Sequence, residues 1–386
     1  MKTFLMHTFL FAAFIANAQT SRITVHPEVR LPKDSVQLVA ALNDFLDAIQ
    51  NGNTEKWVLP AEKTETELLT DEMKGMDKKD SIDFKPYLVN VEALAGRKAY
   101  SVQVSYMGIH EDAPVLRAVF ELIAHKTEDG FRFSSPLLRN TENWKIKAYE
   151  HLTFHYQDTS VENIINQWAK EILEFDRKMQ IAKPYDIYFC GECDDMACIF
   201  RLTGINYKLE MNGDGGHMAS FTLKEKDLDL FVRRYLQQQP DNAHDLFHWR
   251  AGIAISNDEK YNHYMVCGGA YVYGGSWEYS WEEIQKMFKA RMKYDRKTDW
   301  LKLYFERYNF GESQENHLLV TQFINALIIQ KVEKEQGFPA VMELLSSGNI
   351  YNDRENFFRI LEKVTGINEK NFNREVGKLI QGIHND

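Results

Sequence analysis

Between Ser35 and Gln50 the apolar residues Leu38, Leu42, Phe45, Leu46 and Ile49 fall three or four apart, the spacing of one helix face. Asn51-Gly52-Asn53 supplies the stop. A second, less regular helical stretch covers about 65–78. From residue 86 the pattern turns strand-like. Tyr87–Leu94, Ala99–Tyr106, Val115–His125, Phe131–Pro136 and Trp144–Tyr156 read as strands, with Asp129-Gly130 and Arg139-Asn140 as turns between them. Two helices followed by a run of antiparallel strands predict an α+β domain over residues 19–156.

The rest of the chain, 157–386, reads as mostly helical after a small sheet. Ser160–Lys178 carries Val161, Ile164, Ile165, Trp168, Ile172 and Leu173 on one side of a helix. Tyr185–Cys190 reads as a strand, and Asp194 or Asp195 can cap a short helix ending at Gly204. Gly213–Phe221 is a glycine-rich loop running into a further strand. Helices are predicted at about 241–253, 259–273, 280–295, 298–308, 315–336, 337–346, 354–364 and 368–383, with Ser280-Trp281-Glu282-Glu283 as a capping box. No internal repeat is evident.

Composition narrows the field. Hydrophobic residues are 44% and charged residues 26% of 386, an ordinary globular mix that excludes collagen-like and disordered chains. The net charge of −10 and the absence of a long Lys/Arg block give no electrostatic footprint for nucleic acid. Four cysteines are too few for a disulfide scaffold. The first 18 residues have the form of a signal peptide: Lys2, an apolar run Phe4–Ile15 interrupted only by His7 and Thr8, then Ala16-Asn17-Ala18. Cleavage before Gln19 is expected, with no cysteine there to carry a lipid. A secreted or periplasmic protein with no transmembrane segment after cleavage follows.

The segment richest in chemistry is His244-Asp245-Leu246-Phe247-His248. Two histidines four apart share a helix face and can offer two nitrogens to one zinc ion. Asp241 is a plausible N-cap just upstream. Eighteen residues separate His248 from Cys267, which opens the run Cys267-Gly268-Gly269-Ala270-Tyr271-Val272-Tyr273-Gly274-Gly275-Ser276.

Here the chain resembles the gluzincin metallopeptidases, in particular their peptidase MA-like branch, over about 185–383. That family carries His-Glu-x-x-His on one helix and, about eighteen residues on, a Glu in a stretch of the form Glu-Gly-x-Ala-x-Tyr, often followed by Gly-Gly-Ser. Gly268, Ala270 and Gly274-Gly275-Ser276 match it. The resemblance implies His244, His248 and Cys267 as metal ligands, Asp245 as general base, zinc as cofactor, and a peptide or protein as substrate or ligand. It implies a zincin-type domain with a small sheet and a large helical lobe. The two helices and strands ahead of it resemble the NTF2-like cone in element order.

Two departures fall where the chemistry is demanding. Asp245 stands for the family's Glu and is one methylene shorter, roughly 1.5 Å of reach, where a misplacement of about 1 Å can cost around a hundredfold in rate. Cys267 stands for the Glu ligand; a thiolate can hold zinc, yet a cysteine can also be a small buried residue filling the place of a lost ligand. Further upstream, Gly216-His217-Met218 echoes the start of the family's substrate-pairing Gly-x-Met-Glu-Asn strand, but Ala219 and Ser220 replace its Glu and Asn. If that alignment holds, recognition of a substrate's α-amine is lost.

Other candidates carry less. Cys190, Cys193, Cys198 and Cys267 could form a four-thiolate site, a local disulfide among the first three, or free thiols. Tyr304, Tyr308 and His317 are the positional candidates for stabilising an oxyanion. Trp277, Tyr279 and Trp281 read as packing or a cleft wall. Three functions are therefore open: a lapsed metallopeptidase homologue, with or without metal, that binds peptide or protein; an active zinc peptidase with a two-histidine, one-cysteine site; and a binding module acting through the N-terminal cone.

Overall fold

The computed structural model describes residues 23–96, 98–189, 196–208, 219–223, 228–232, 243–257, 259–292, 295, 297–311 and 317–385. The expected leader, Asp241, Cys190, Cys193 and the triplet Gly216-His217-Met218 lie outside the described residues, as does the Cys198 side chain. The architecture is mixed α and β, with thirteen α-helices and sheets of six, five and two strands among the described residues.

Two compact units divide the chain: Met1–Glu142 with Asp195–Gly215, and Asn143–Asp194 with Gly216–Asp386. Along the first run come β1 (Thr24–Val25), α1 (Ser35–Asn51), α2 (Lys63–Met73), β2 (Lys78–Lys79), β3 (Ile82–Asp83), β4 (Lys85–Ala93), β5 (Ala99–His110), β6 (Ala113–Thr127), β7 (Gly130–Ser134) and the single turn α3 (Leu137–Asn140). The second unit opens with β8 (Lys145–Tyr149), β9 (Leu152–Tyr156), α4 (Glu162–Met179) and β10 (Tyr185–Phe189). The chain returns to the first unit for α5 (Met196–Thr203) and β11 (Ile205–Lys208). The second unit then resumes with β12 (Ala219–Leu223), β13 (Leu228–Val232), α6 (Ala243–Ala254), α7 (His263–Gly274), α8 (Trp281–Arg291), α9 (Trp300–Phe305), α10 (Val320–Gln336), α11 (Phe338–Leu345), α12 (Arg354–Thr365) and α13 (Phe372–Asn385).

In the first unit the predicted hydrophobic stripe of α1 is the buried one: Leu38, Leu42, Phe45, Leu46 and Ile49. Phe45 stacks on Phe133 of β7 at 4.6 Å between ring centroids. Strands run in the order β1-β4-β5-β6-β11, with β7 also on β6. β5 and β6 pair antiparallel from Ala99 opposite His125 to His110 opposite Ala113. The return of β11 to this sheet depends on Gly204. Its φ of +102° is one that side chains avoid, and a Cβ there would run into the Glu121 carbonyl and Pro136. The Gly204 carbonyl in turn accepts the Glu121 amide at 2.6 Å.

The domain boundary expected at 156/157 moves to 142/143. The stretch Trp144–Tyr156, read as one strand of the first domain, is a hairpin of the second unit. Glu150 at φ 49° turns the chain between β8 and β9. β9 then pairs in parallel with β10, and a parallel pair needs a crossover, here α4. Sequence adjacency suggested an antiparallel neighbour because the crossover partner lies beyond the helix. The sheet runs β12-β13-β10-β9-β8, with β13, β10 and β9 parallel and an antiparallel strand at each edge.

α4 buries Ile165, Trp168, Ala169, Ile172, Leu173, Phe175, Asp176 and Met179. α10 is buried nearly all round, as a helix at the centre of a helical lobe must be. The capping box of α8 forms in both directions: the Glu283 amide donates to Ser280 Oγ, and the Ser280 amide donates to Glu283 Oε2. Among the described residues no helix is long and apolar enough to cross a membrane.

Candidate metal centre

α6 and α7 pack closely because Gly269 and Gly274 leave no side chain between them. A Cβ on Gly269 would overlap the Phe247 ring of α6, and one on Gly274 would overlap the backbone of Ala243 and His244. A Cβ on Gly268 would meet Asn325 of α10. The glycines that carry the sequence resemblance therefore have a packing duty of their own. α7 starts at an Asn262 cap, whose side chain accepts the Met265 amide at 3.0 Å and donates to Ser347 Oγ at 2.8 Å. That fixes the rotation of α7 and with it the direction of His263 and Cys267, which lie one turn apart on one face.

The side chains that converge are His248, His263 and Cys267. One donor atom from each lies within 4.8 Å of the others. Cys267 Sγ stands 3.5 Å from His263 Nε2. Cys267 is buried, His248 half-buried and His263 exposed. His244 and His248 present their rings 5.0 Å apart, as four-residue spacing requires. His244 is not in the converging set; its Nδ1 sits 2.5 Å from the Gly275 carbonyl oxygen. Of the expected trio, His248 and Cys267 are brought together and His244 is not; beside them stands His263. Its signal was available in the sequence as His263-x3-Cys267, a second pair at helical spacing.

The electrostatics suit neutral nitrogen donors. Burial, then His244 and His263, hold the His248 pKa down to about 3. Burial, then the Arg307 guanidinium, lowers that of His263. Both imidazoles therefore keep a lone pair at neutral pH. Burial pushes the Cys267 thiol up to about 12, against a hydrogen bond from Gln322 and the Arg307 charge, which favour the thiolate. A metal would have to displace that proton, as a thiolate ligand always requires. Two donors on a tetrahedral zinc, ~2.1 and ~2.3 Å from it, stand about 3.6 Å apart, close to the 3.5 Å between Cys267 Sγ and His263 Nε2. Two imidazoles and a thiolate suit zinc, whereas calcium and magnesium demand oxygen.

Asp245 is exposed on the first turn of α6, where a carboxylate complements the helix dipole. The positional oxyanion candidates separate. Tyr304 is fully buried, its hydroxyl donating to Asn325 Oδ1 at 2.9 Å, so it is a core residue. Tyr308 is 47% exposed, and His317 is exposed with its carbonyl taking the Trp277 indole N–H at 3.0 Å. Trp281 packs on Phe323, whereas Trp277, in the left-handed region at φ 56°, is half exposed.

A support beneath α6 was not foreseen. Asp176 of α4 receives Arg250 Nε at 2.6 Å and Nη2 at 2.9 Å, with both side chains fully buried. His151 Nε2 lies 2.7 Å from Asp176 Oδ2. Arg250 is two residues past His248, so this bidentate pair fixes the helix that carries the donor. Searches for similar proteins found no family model, curated protein or solved structure that matches this chain.

Proposed function

We propose that the second unit is a gluzincin-like metallopeptidase scaffold that has lost hydrolysis and uses its cleft to hold a peptide or protein, with zinc as a resident ion. The first unit is read as an NTF2-like module, and the chain as exported after cleavage before Gln19. The observation that carries this reading is the meeting of His248 from α6 with Cys267 from α7, the two positions that the motif pairs. The sheet adds support. Its outer strand β12 directly follows the Gly216-His217-Met218 segment, and an extended peptide adds to such an edge through main-chain hydrogen bonds.

Loss of hydrolysis is favoured over retuned catalysis for two reasons. The carboxylate next to the first histidine is a shortened one, exposed at a helix start where a dipole role accounts for it. The position of the family's carboxylate ligand is held by Cys267, so both the base and a ligand position are substituted. The zinc, when bound, would supply Lewis acidity and a fixed positive charge. The residues of the chain supply its donors and the walls around it.

The test uses the mature full chain loaded with zinc and a library of extended peptides blocked at both ends. Fluorescence anisotropy reads capture and mass spectrometry reads cleavage. Peptides are expected to bind and stay intact, with Asp245→Ala binding as well as the parent. Cleavage that disappears in His248→Ala would make the chain an active peptidase and overturn the lapse. Neither capture nor cleavage would overturn the cleft reading itself.

A further inference from the structure

The metal ligand set that the sequence motif implies and the one that the side chains form are different. The motif pairs His244 with His248 on α6 and adds one ligand from α7. The structure instead takes one histidine from α6 and two donors, His263 and Cys267, from a single face of α7. We infer that zinc binds at His248, His263 and Cys267, and that His244 is not a ligand.

Four observations converge on this. The three donor atoms lie within 4.8 Å of one another, and the separation of Cys267 Sγ from His263 Nε2, 3.5 Å, is within about 0.1 Å of the tetrahedral expectation for zinc. His244 has a different engagement: its Nδ1 faces the Gly275 carbonyl at 2.5 Å, and the Gly274 backbone packs directly on its amide. α7 is fixed in rotation by the Asn262 cap and by close packing at Gly268 and Gly269, so His263 and Cys267 are presented together without adjustment. Finally, the His248 and His263 rings stand 6.0 Å apart between centroids, so α6 and α7 bring these two imidazoles to the same place as the thiol.

The donor chemistry sets the class of ion. A soft thiolate with two imidazoles selects zinc over the hard cations calcium and magnesium. Among the described residues no further His, Cys, Asp or Glu joins the three. The location also differs in exposure. His263 is exposed, so the ion would sit toward the surface end of α7 rather than deep under α6.

This inference rests on the reading of the cleft as metal-holding, but its readout is separate from peptide capture. The mature full chain is stripped with chelator, reloaded with zinc, and measured by elemental analysis and competition with a chromophoric chelator. Cobalt substitution reports the sulfur ligand through a thiolate-to-cobalt charge-transfer band. The parent and His244→Ala are expected to hold about one zinc per chain with similar affinity. His248→Ala, His263→Ala and Cys267→Ser should each lose affinity by about a hundredfold or more, at or beyond the top of the range for outer-shell changes. The charge-transfer band should persist in His244→Ala and vanish in Cys267→Ser. Since His263 is exposed, its truncation leaves no cavity, and a circular-dichroism melt verifies that each variant is folded. Loss of zinc in His244→Ala with retention in His263→Ala would overturn the inference in favour of the motif's ligand set. Equal binding by all variants, or no zinc in the parent, would overturn it outright. Zinc without peptide capture would sink the cleft-binding function alone, and capture without zinc would sink this ligand set alone.

Discussion

Gly274 lies so close to the backbone of His244 that a β-carbon on it would overlap the His244 amide nitrogen. The contact joins the end of α7 to the start of α6, and the Gly275 carbonyl beside it holds the His244 ring. Gly274 thus sets the helix spacing, and its neighbour Gly275 the orientation of the first motif histidine.

Gly274→Ala should therefore cost stability through overpacking, typically about 1–3 kcal/mol and here toward the upper end because the neighbours, in Ala243 and His244, are backbone and cannot rotate away. Gly382→Ala, where nothing lies within 4 Å of the added carbon, is the control and should be neutral or slightly stabilising. Urea titration of both variants against the parent decides it. Equal midpoints for the two would remove the close approach from the account.

The Asp176–Arg250 pair makes a larger claim. Both side chains are fully buried and doubly hydrogen-bonded, so neutralising one partner leaves the other charge without its mate. Asp176→Asn should destabilise the chain by about 3–5 kcal/mol, whereas Asp176→Leu with Arg250→Met should cost markedly less. Denaturant unfolding gives the numbers. A single variant as stable as the parent would show that the pair does not hold α4 to α6.

How much of this could be read from sequence depends on whether the partner of each residue is local. α1 was legible nearly to the residue, since Leu38 to Ile49 repeat at helical spacing and Gly52 at φ 68° ends the helix locally. β5 and β6 run further than their apolar cores suggested, because the hairpin continues through His110 and Ala113 past the last buried position. The two parallel pairings of β10 were not legible at all, since β9 and β13 lie across a helix and a long connection. At the candidate metal centre, His248 and Cys267 came to notice through a resemblance to a metallopeptidase motif. His263 did not, because the motif directs attention to His244 and only the rotation of α7 shows which histidine faces the thiol.

The first unit offers a pH readout. Lys126 Nζ at 2.8 Å, then the Tyr100 hydroxyl at 2.9 Å, holds the Asp34 carboxyl below its ordinary 3.8. A carboxyl lowered on folding stabilises the native state above its unfolded pKa, and that contribution fades as the pH falls through the folded one. The melting temperature of Asp34→Asn should thus fall below the parent's at about pH 6, with the gap closing as the pH falls below the ordinary 3.8. The effect should be small, as exposed pairs are, and should shrink with added salt. A gap that widened on acidification would contradict the assignment of sign.

Cys267 gives the last prediction, on the metal-free chain. The thiol is 5% exposed and burial raises it to about 12, so at mildly alkaline pH almost none of it is thiolate, the reactive form. Iodoacetamide at about pH 8 should leave Cys267 unmodified in the folded chain over times that fully alkylate it in denaturant, where an ordinary thiol ionises near 8.5. Mass mapping of the Cys267 peptide separates it from the other three cysteines. The rate should follow unfolding: Asp176→Asn, which loosens α4 from α6, should raise it by the same factor as it raises the unfolded population, provided opening is fast relative to alkylation. Rapid labelling of the folded parent would mean that the thiol is more open than its packing against α6 and α10 allows, and would remove the buried donor from which the metal site is built.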